Sequence, residues 1–198
     1  QQSFVLYKKQ LQKKLLLDEG GFLSQWHYKN IVAIVMRLGE MDWVKAFIET
    51  YREQLHPDVV ENAYIFNLAA YYYATQQLEK VQQLLIQVEY KDIRYGLAAK
   101  ALLLRTYYDL QEYDTLESLV KSFREYLRRN KSIPDGRRRA FLQLLQLTKG
   151  LGQLQSRRQF QSPRKTQQQL ANLRQGIEQA PQLINREWLL GKVAELEA

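Results

Sequence analysis

The sequence contains no cysteine. That absence excludes disulfides, thiolate nucleophiles and cysteine-held zinc or iron–sulfur sites, and it leaves the compartment open. There are two histidines, His27 and His56, and neither has an acid or a second histidine at i+3 or i+4. A metal site needs three or four ligands in mutual reach, so no metal and no cofactor are expected, and both histidines read as surface or cap residues. Glycine and proline are scarce, at nine and four residues, which argues against disorder and against a turn-rich all-β fold. No run of eighteen apolar residues occurs, so no membrane span is expected. H-E-x-x-H, G-x-S-x-G, a glycine-rich phosphate loop and zinc-finger spacings are all missing. Glu40 with Asp42, and Glu112 with Asp114, sit in short links, where helix-start chemistry explains them. The expectation is a protein without catalysis. No signal-peptide pattern opens the chain at Gln1, so a trimmed product or part of a longer parent chain is expected, in the cytoplasm.

What is present is helix-favouring: Leu, Gln, Ala, Lys, Glu and Arg dominate the 198 residues, and 45% of the chain is hydrophobic. The length suits one large domain or two small ones. The formal charge of +8 is unevenly spread. Between Arg124 and Lys165 stand twelve Lys or Arg and two acids, Glu125 and Asp135, which places +10 there and −2 on the rest.

Apolar residues recur at helical spacing through most of the chain. Residues 4–17 carry Phe4, Tyr7, Leu11 and Leu15, and Gly20-Gly21 ends that segment. Ser24 is placed to cap a helix whose stripe is Tyr28, Ile31, Val32, Val35 and Leu38. Val44, Ile48 and Tyr51 form the next stripe, stopped by His56-Pro57-Asp58. The pattern then repeats. Ile65, Leu68, Ala69 and Tyr72 precede Leu78, Val81, Leu85 and Val88. Leu103, Leu104 and Tyr107 precede Tyr113, Leu116, Val120 and Phe123. The links 38–42 (LGEMD) and 110–114 (LQEYD) share three of five residues, and aligning Met41, Leu78 and Tyr113 gives spacings of 37 and 35. A period near 34–37 is the mark of stacked two-helix repeats, each burying the face its neighbour cannot. After residue 123 the regularity decays. A helix is expected over 137–155, weakened at its end by Gly150 and Gly152. Residues 157–168, broken by Pro163, read as an exposed or mobile loop. Two closing helices follow over 169–179 and 184–196, with Trp188 and Leu189 closing the end.

Ile65, Leu68, Ala69 and Tyr72, at the first-helix spacings of a two-helix unit, resemble the tetratricopeptide-type repeat. Tyr28, Ile31, Val32, Val35 and Lys100, Leu103, Leu104, Tyr107 fall at the same spacings. The second helices depart from that pattern, having Val44, Val81 and Leu116 where the family has small residues. The resemblance, to a divergent tetratricopeptide-like repeat, covers residues 24–130. It implies an all-α, right-handed superhelix of stacked antiparallel hairpins, an α-solenoid. Its hairpins are expected at about 24–55, 61–90 and 96–130 within a repeat region over 1–130. A basic helical extension with capping helices would continue the stack over 131–198. The resemblance also implies a protein-binding scaffold or adaptor with a groove lined by first helices.

Two residue sets are candidate contacts. Tyr64, Asn67, Tyr73, Lys100, Arg105 and Tyr108 are the groove candidates, supplying aromatic area and donors for a peptide carboxylate or backbone. Tyr72 is assigned to the core, while Tyr73 and Tyr108 either line the groove or pack within the stack. Arg128, Arg129, Arg137, Arg138, Arg139, Arg157, Arg158, Arg164 and Lys165 are the polyanion candidates, with Lys131 beside them, if they converge. The expected partner is another protein or another part of a longer parent chain. The alternatives are nucleic acid, an acidic surface or anionic lipid at the basic region, or a purely structural domain, with solvated surface as the plainest reading of both sets.

Overall fold

The structure is a computed structural model and describes residues 2–87 and 92–197. Among the described residues the fold is all-α, with ten α-helices. These are α1 (Gln2–Gln12), α2 (Gln25–Arg37), α3 (Met41–Thr50), α4 (Pro57–Ala74), α5 (Leu78–Ile86), α6 (Ile93–Asp109), α7 (Tyr113–Arg129), α8 (Asp135–Arg157), α9 (Pro163–Gln179) and α10 (Arg186–Glu197). The chain divides into two compact units, Gln1–Ala99 and Lys100–Ala198, and the division falls inside α6. Position 130 instead lies between α7 and α8, which pack together in the second unit.

In the first unit α2 packs on α3 and α4, and α4 on α5. Tyr28, Ile31, Val32 and Val35 of α2 are buried as their spacing predicts, and so are Val44 and Ile48 of α3. The Ser24 hydroxyl accepts a hydrogen bond from the Trp26 N–H and caps α2. The Tyr28 hydroxyl donates to the Ile48 carbonyl at 2.6 Å, which satisfies its polar end inside the core. In α4 the core stripe differs from the expected one. Asn62, Phe66, Ala69 and Tyr73 are buried, whereas Tyr72 is half-buried. Phe66 and Leu68 are both inside, so α4 is enclosed on more than one side, and its apolar periodicity no longer marks a single face. Helix α1 ends at Gln12, before the expected 17. Leu15 is 67% exposed, and Leu17 pairs with Leu23 in an isolated bridge. Val88 lies outside the described residues.

The links between helices carry the clearest repetition. Gly39, Gln76 and Gln111 all adopt positive φ, at 81°, 59° and 59°. Each N–H bonds the carbonyl three residues back, on Met36, Tyr73 and Tyr108 respectively. The next residue, Glu40, Gln77 or Glu112, is the N-cap, with φ between −80° and −99° and ψ between 57° and 66°. The same turn therefore precedes Met41, Leu78 and Tyr113, the three positions that the sequence alignment superposes.

In the second unit α7, α8, α9 and α10 pack in succession, with α10 also against α8. Glycine does not weaken α8, which continues to Arg157. A Cβ on Gly150 would lie 2.9 Å from Leu173 Cδ2, and one on Gly152 would lie 2.9 Å from Leu116 Cδ2. These glycines let neighbouring side chains approach the helix, which outweighs their low propensity. Residues 157–168 are not a loop either. A single 3-10 turn, Arg158–Phe160, separates α8 from α9, and Pro163 opens α9 at a first-turn position, where its missing N–H costs nothing. Leu189 is buried, and Trp188 meets Tyr108 edge-on at 5.4 Å. Lys192 of α10 pairs with Asp109 at 3.0 Å and with Glu195.

Candidate functional site

Helices α3, α4 and α5 of the first unit build a continuous polar–aromatic face. Lys45, Glu49 and Arg52 recur at helical spacing on and just beyond α3, so they share one side. Lys45 Nζ donates to Glu49 Oε1 at 2.7 Å, and the Tyr64 hydroxyl of α4 donates to Glu49 Oε2 at 3.1 Å. The Arg52 guanidinium lies 4.2 Å from the Tyr64 ring centre. Tyr71 and Tyr72 continue the row. Lys45 Nζ lies 5.8 and 5.3 Å from their rings, and Lys80 Nζ of α5 lies 5.0 Å from Tyr72. The Lys45 hydrogen bond lowers the Glu49 pKa below the usual carboxylate range despite partial burial. Burial works against the Lys45 charge, but the bond to Glu49 prevails and raises its pKa. Burial, reinforced by Glu49, raises the Tyr64 pKa, so its hydroxyl stays a donor. The result is a set of half-buried tyrosine rings, each close to a cation, with one carboxylate holding the row together.

The sequence-derived groove set is placed differently from this face. Tyr64 belongs to it. Asn67 is buried, donates to the Ala63 carbonyl at 2.7 Å and bonds the Tyr95 hydroxyl, which itself donates to the Gln25 carbonyl. Tyr73 and Tyr108 are buried at 9% and 6% exposure, so they pack inside their units and do not line a groove. Lys100 is half-buried with its Nζ 5.1 Å from the Tyr126 ring, and burial lowers its pKa. Arg105 is half-buried beside Trp188, 5.6 Å from its ring. Sequence reasoning missed Lys45, Glu49, Arg52 and Lys80. The i, i+4, i+7 spacing of the first three was the available signal.

The basic residues do not converge into one patch. Arg128 and Arg129 end α7 beside Arg137, Arg138 and Arg139, which begin α8. Arg157 and Arg158 lie at the far end of α8, next to Arg164 and Lys165 at the start of α9. From Arg138 to Arg157 the helix rises about 28 Å at about 1.5 Å per residue. Within the first cluster several cations are already engaged. Arg128 pairs with Glu125 at 2.7 Å. Arg138 is half-buried and engaged rather than free, because it holds Asp135 at 2.9 Å and the Asn130 and Ile133 carbonyls at 3.2 and 3.1 Å. It thereby satisfies carbonyls of the α7 C-cap and of the link to α8, a role that a count of charges does not reveal.

Elsewhere His56 caps α4, its Nδ1 accepting from the Asp58 N–H at 3.3 Å, and His27 is exposed. Among the described residues no three His, Asp or Glu side chains converge as metal ligands, and no helix is long and apolar enough to cross a membrane. Comparison of the chain with protein-family models, curated proteins and solved structures finds no significant match in any of the three.

Proposed function

We propose that this chain is a non-catalytic helical-hairpin scaffold of divergent tetratricopeptide-like architecture, whose job is to bind another protein. The observation that carries this reading is the α3–α4–α5 face. Tyrosine and arginine dominate the residues on which binding energy concentrates, because they bury area with few rotors and carry donors. Here Tyr64, Tyr71 and Tyr72 are held beside Arg52, Lys45 and Lys80, so little side-chain entropy remains to be lost on binding. Three cations against one carboxylate suit a partner segment that carries acidic groups. The shared geometry of the three links, at spacings of 37 and 35, supports the repeat architecture.

The test is affinity capture from the native host, comparing wild type with a Tyr71→Ala/Tyr72→Ala variant whose fold is verified by circular dichroism. A partner held by the wild type should bind the variant at least ten-fold more weakly in a subsequent titration, and a photo-cross-linker at position 71 should attach to it. A partner captured equally by both proteins removes this face from the proposal.

A further inference from the structure

The turn between α8 and α9 combines features that the proposed scaffold does not use. Phe160 is 80% exposed, and among the described residues it is the one strongly exposed large apolar side chain of the second unit. Arg157, Arg158, Arg164 and Lys165 surround it in sequence, all four are exposed, and no acid lies between 136 and 177. None of these four cations makes an ion pair among the described residues, unlike Arg128, Arg138 and Arg174 in the same unit. Arg158 contributes to the lining of two concavities. One, of about 570 Å³, is lined by Gln161 and Thr166, and the other, of about 670 Å³, by Tyr113 and Gln155. At the first, the one carboxylate among the described lining residues, Glu197, is already taken by Arg174.

An exposed ring costs free energy in water and gains it when its face is covered. A flat partner covers one ring efficiently. Four unpaired cations call for several closely spaced anionic groups. The exposed amide of Gln159, next to the ring in sequence, matches polar edges rather than a hydrocarbon phase, and a single strongly exposed large apolar side chain among the described residues of this unit is too little for a membrane-inserting face. A polymer of phosphates with unstacked flat bases meets all three requirements, and a duplex, with its bases stacked inside, does not. We propose that the α8–α9 turn binds single-stranded nucleic acid. Phe160 stacks on an unpaired base, while Arg157, Arg158, Arg164 and Lys165 hold the flanking phosphates.

The experiment is fluorescence anisotropy of the full chain with a labelled oligouridylate of about five nucleotides, within the ~4–16 nucleotides that compact single-strand sites cover. Phe160→Ala should weaken binding roughly ten-fold, Phe160→Trp should preserve it, and stacking predicts this order. The ring is at the surface, so neither change threatens the fold. Four phosphate contacts give a slope of log affinity against log salt of about −3 for a single strand. Arg158→Glu with Lys165→Glu should abolish binding, while Arg137→Glu with Arg139→Glu, at the other end of α8, should leave it within about two-fold. Equal binding by wild type and Phe160→Ala overturns the proposal. So does equal affinity for a duplex, or binding to phosphatidylserine vesicles but not to the oligonucleotide.

Discussion

The three matching links make a quantitative prediction. Gln76 and Gln111 sit in the left-handed region, which costs a residue with a Cβ about 1–2 kcal/mol. Glycine avoids that cost but loses about 0.5–1 kcal/mol more backbone entropy on folding. The difference predicts that Gln111→Gly and Gln76→Gly each stabilise the fold by about 0.5–1 kcal/mol. Both side chains are exposed, so little packing is lost. The reverse change applies at Gly39, whose φ is 81° and whose added Cβ would meet nothing within 4 Å. Gly39→Ala should therefore destabilise by about 1 kcal/mol through backbone strain alone. In a chain of this size 1 kcal/mol moves Tm by about 2–4 °C. Urea unfolding followed at 222 nm measures all three variants, and an unchanged m-value shows that native and denatured states remain comparable. If Gln111→Gly costs 1 kcal/mol or more, as glycine does inside a helix, then residue 111 is not left-handed in solution. The shared link geometry would then fail with it.

Two further outcomes follow from polar contacts. Asp92 caps α6, its Oδ1 accepting from the Arg94 and Tyr95 N–H groups at 2.7 and 3.3 Å. Burial works against its charge, but the Arg94 side chain and the two backbone donors prevail and hold its pKa below the usual value. A depressed carboxylate stabilises the fold above its unfolded pKa of about 3.9, and that contribution is lost as pH falls through the folded value. Asp92→Asn, which keeps the cap, should therefore flatten stability against pH below about 4, and Asp92→Ala should cost about 1 kcal/mol near neutrality; both are read by chemical denaturation across pH. Arg138→Ala should cost about 1.5–3 kcal/mol, since it strips charged donors from two carbonyls, whereas Arg139→Ala, at an exposed neighbour, should be near neutral. Thermal unfolding separates the two, and similar Tm values would remove the capping role of Arg138.

Legibility in the sequence followed amphipathicity. Helices α2, α3 and α7 each bury one face, and their stripes, from Tyr28 to Val35 and from Leu116 to Phe123, could be read directly. Helices α4 and α6 are enclosed on several sides. Consecutive tyrosines such as Tyr71, Tyr72 and Tyr73 then differ only by about 100° of rotation, and the sequence holds no cue for which one turns inward. Glycine and proline were read through local propensity, but Gly150 and Gly152 answer to neighbouring helices and Pro163 to its place in the first turn of α9. The candidate faces were harder still, because they depend on pairing. Tyr64 was visible as a surface aromatic, but its link to Glu49 joins separate helices. Arg138 looked the same as Arg139 until its acceptors were known.

The length of α8 has a consequence for any polyanion. At physiological ionic strength charges are screened beyond about 8 Å, so its two basic ends, about 28 Å apart, behave as independent stations. A short ligand reaches only one of them. A ligand long enough to reach both becomes bivalent, and its second contact forms at the effective concentration set by the first. Affinity plotted against ligand length should then rise in a step rather than a ramp, with α8 acting as the ruler that sets where the step falls.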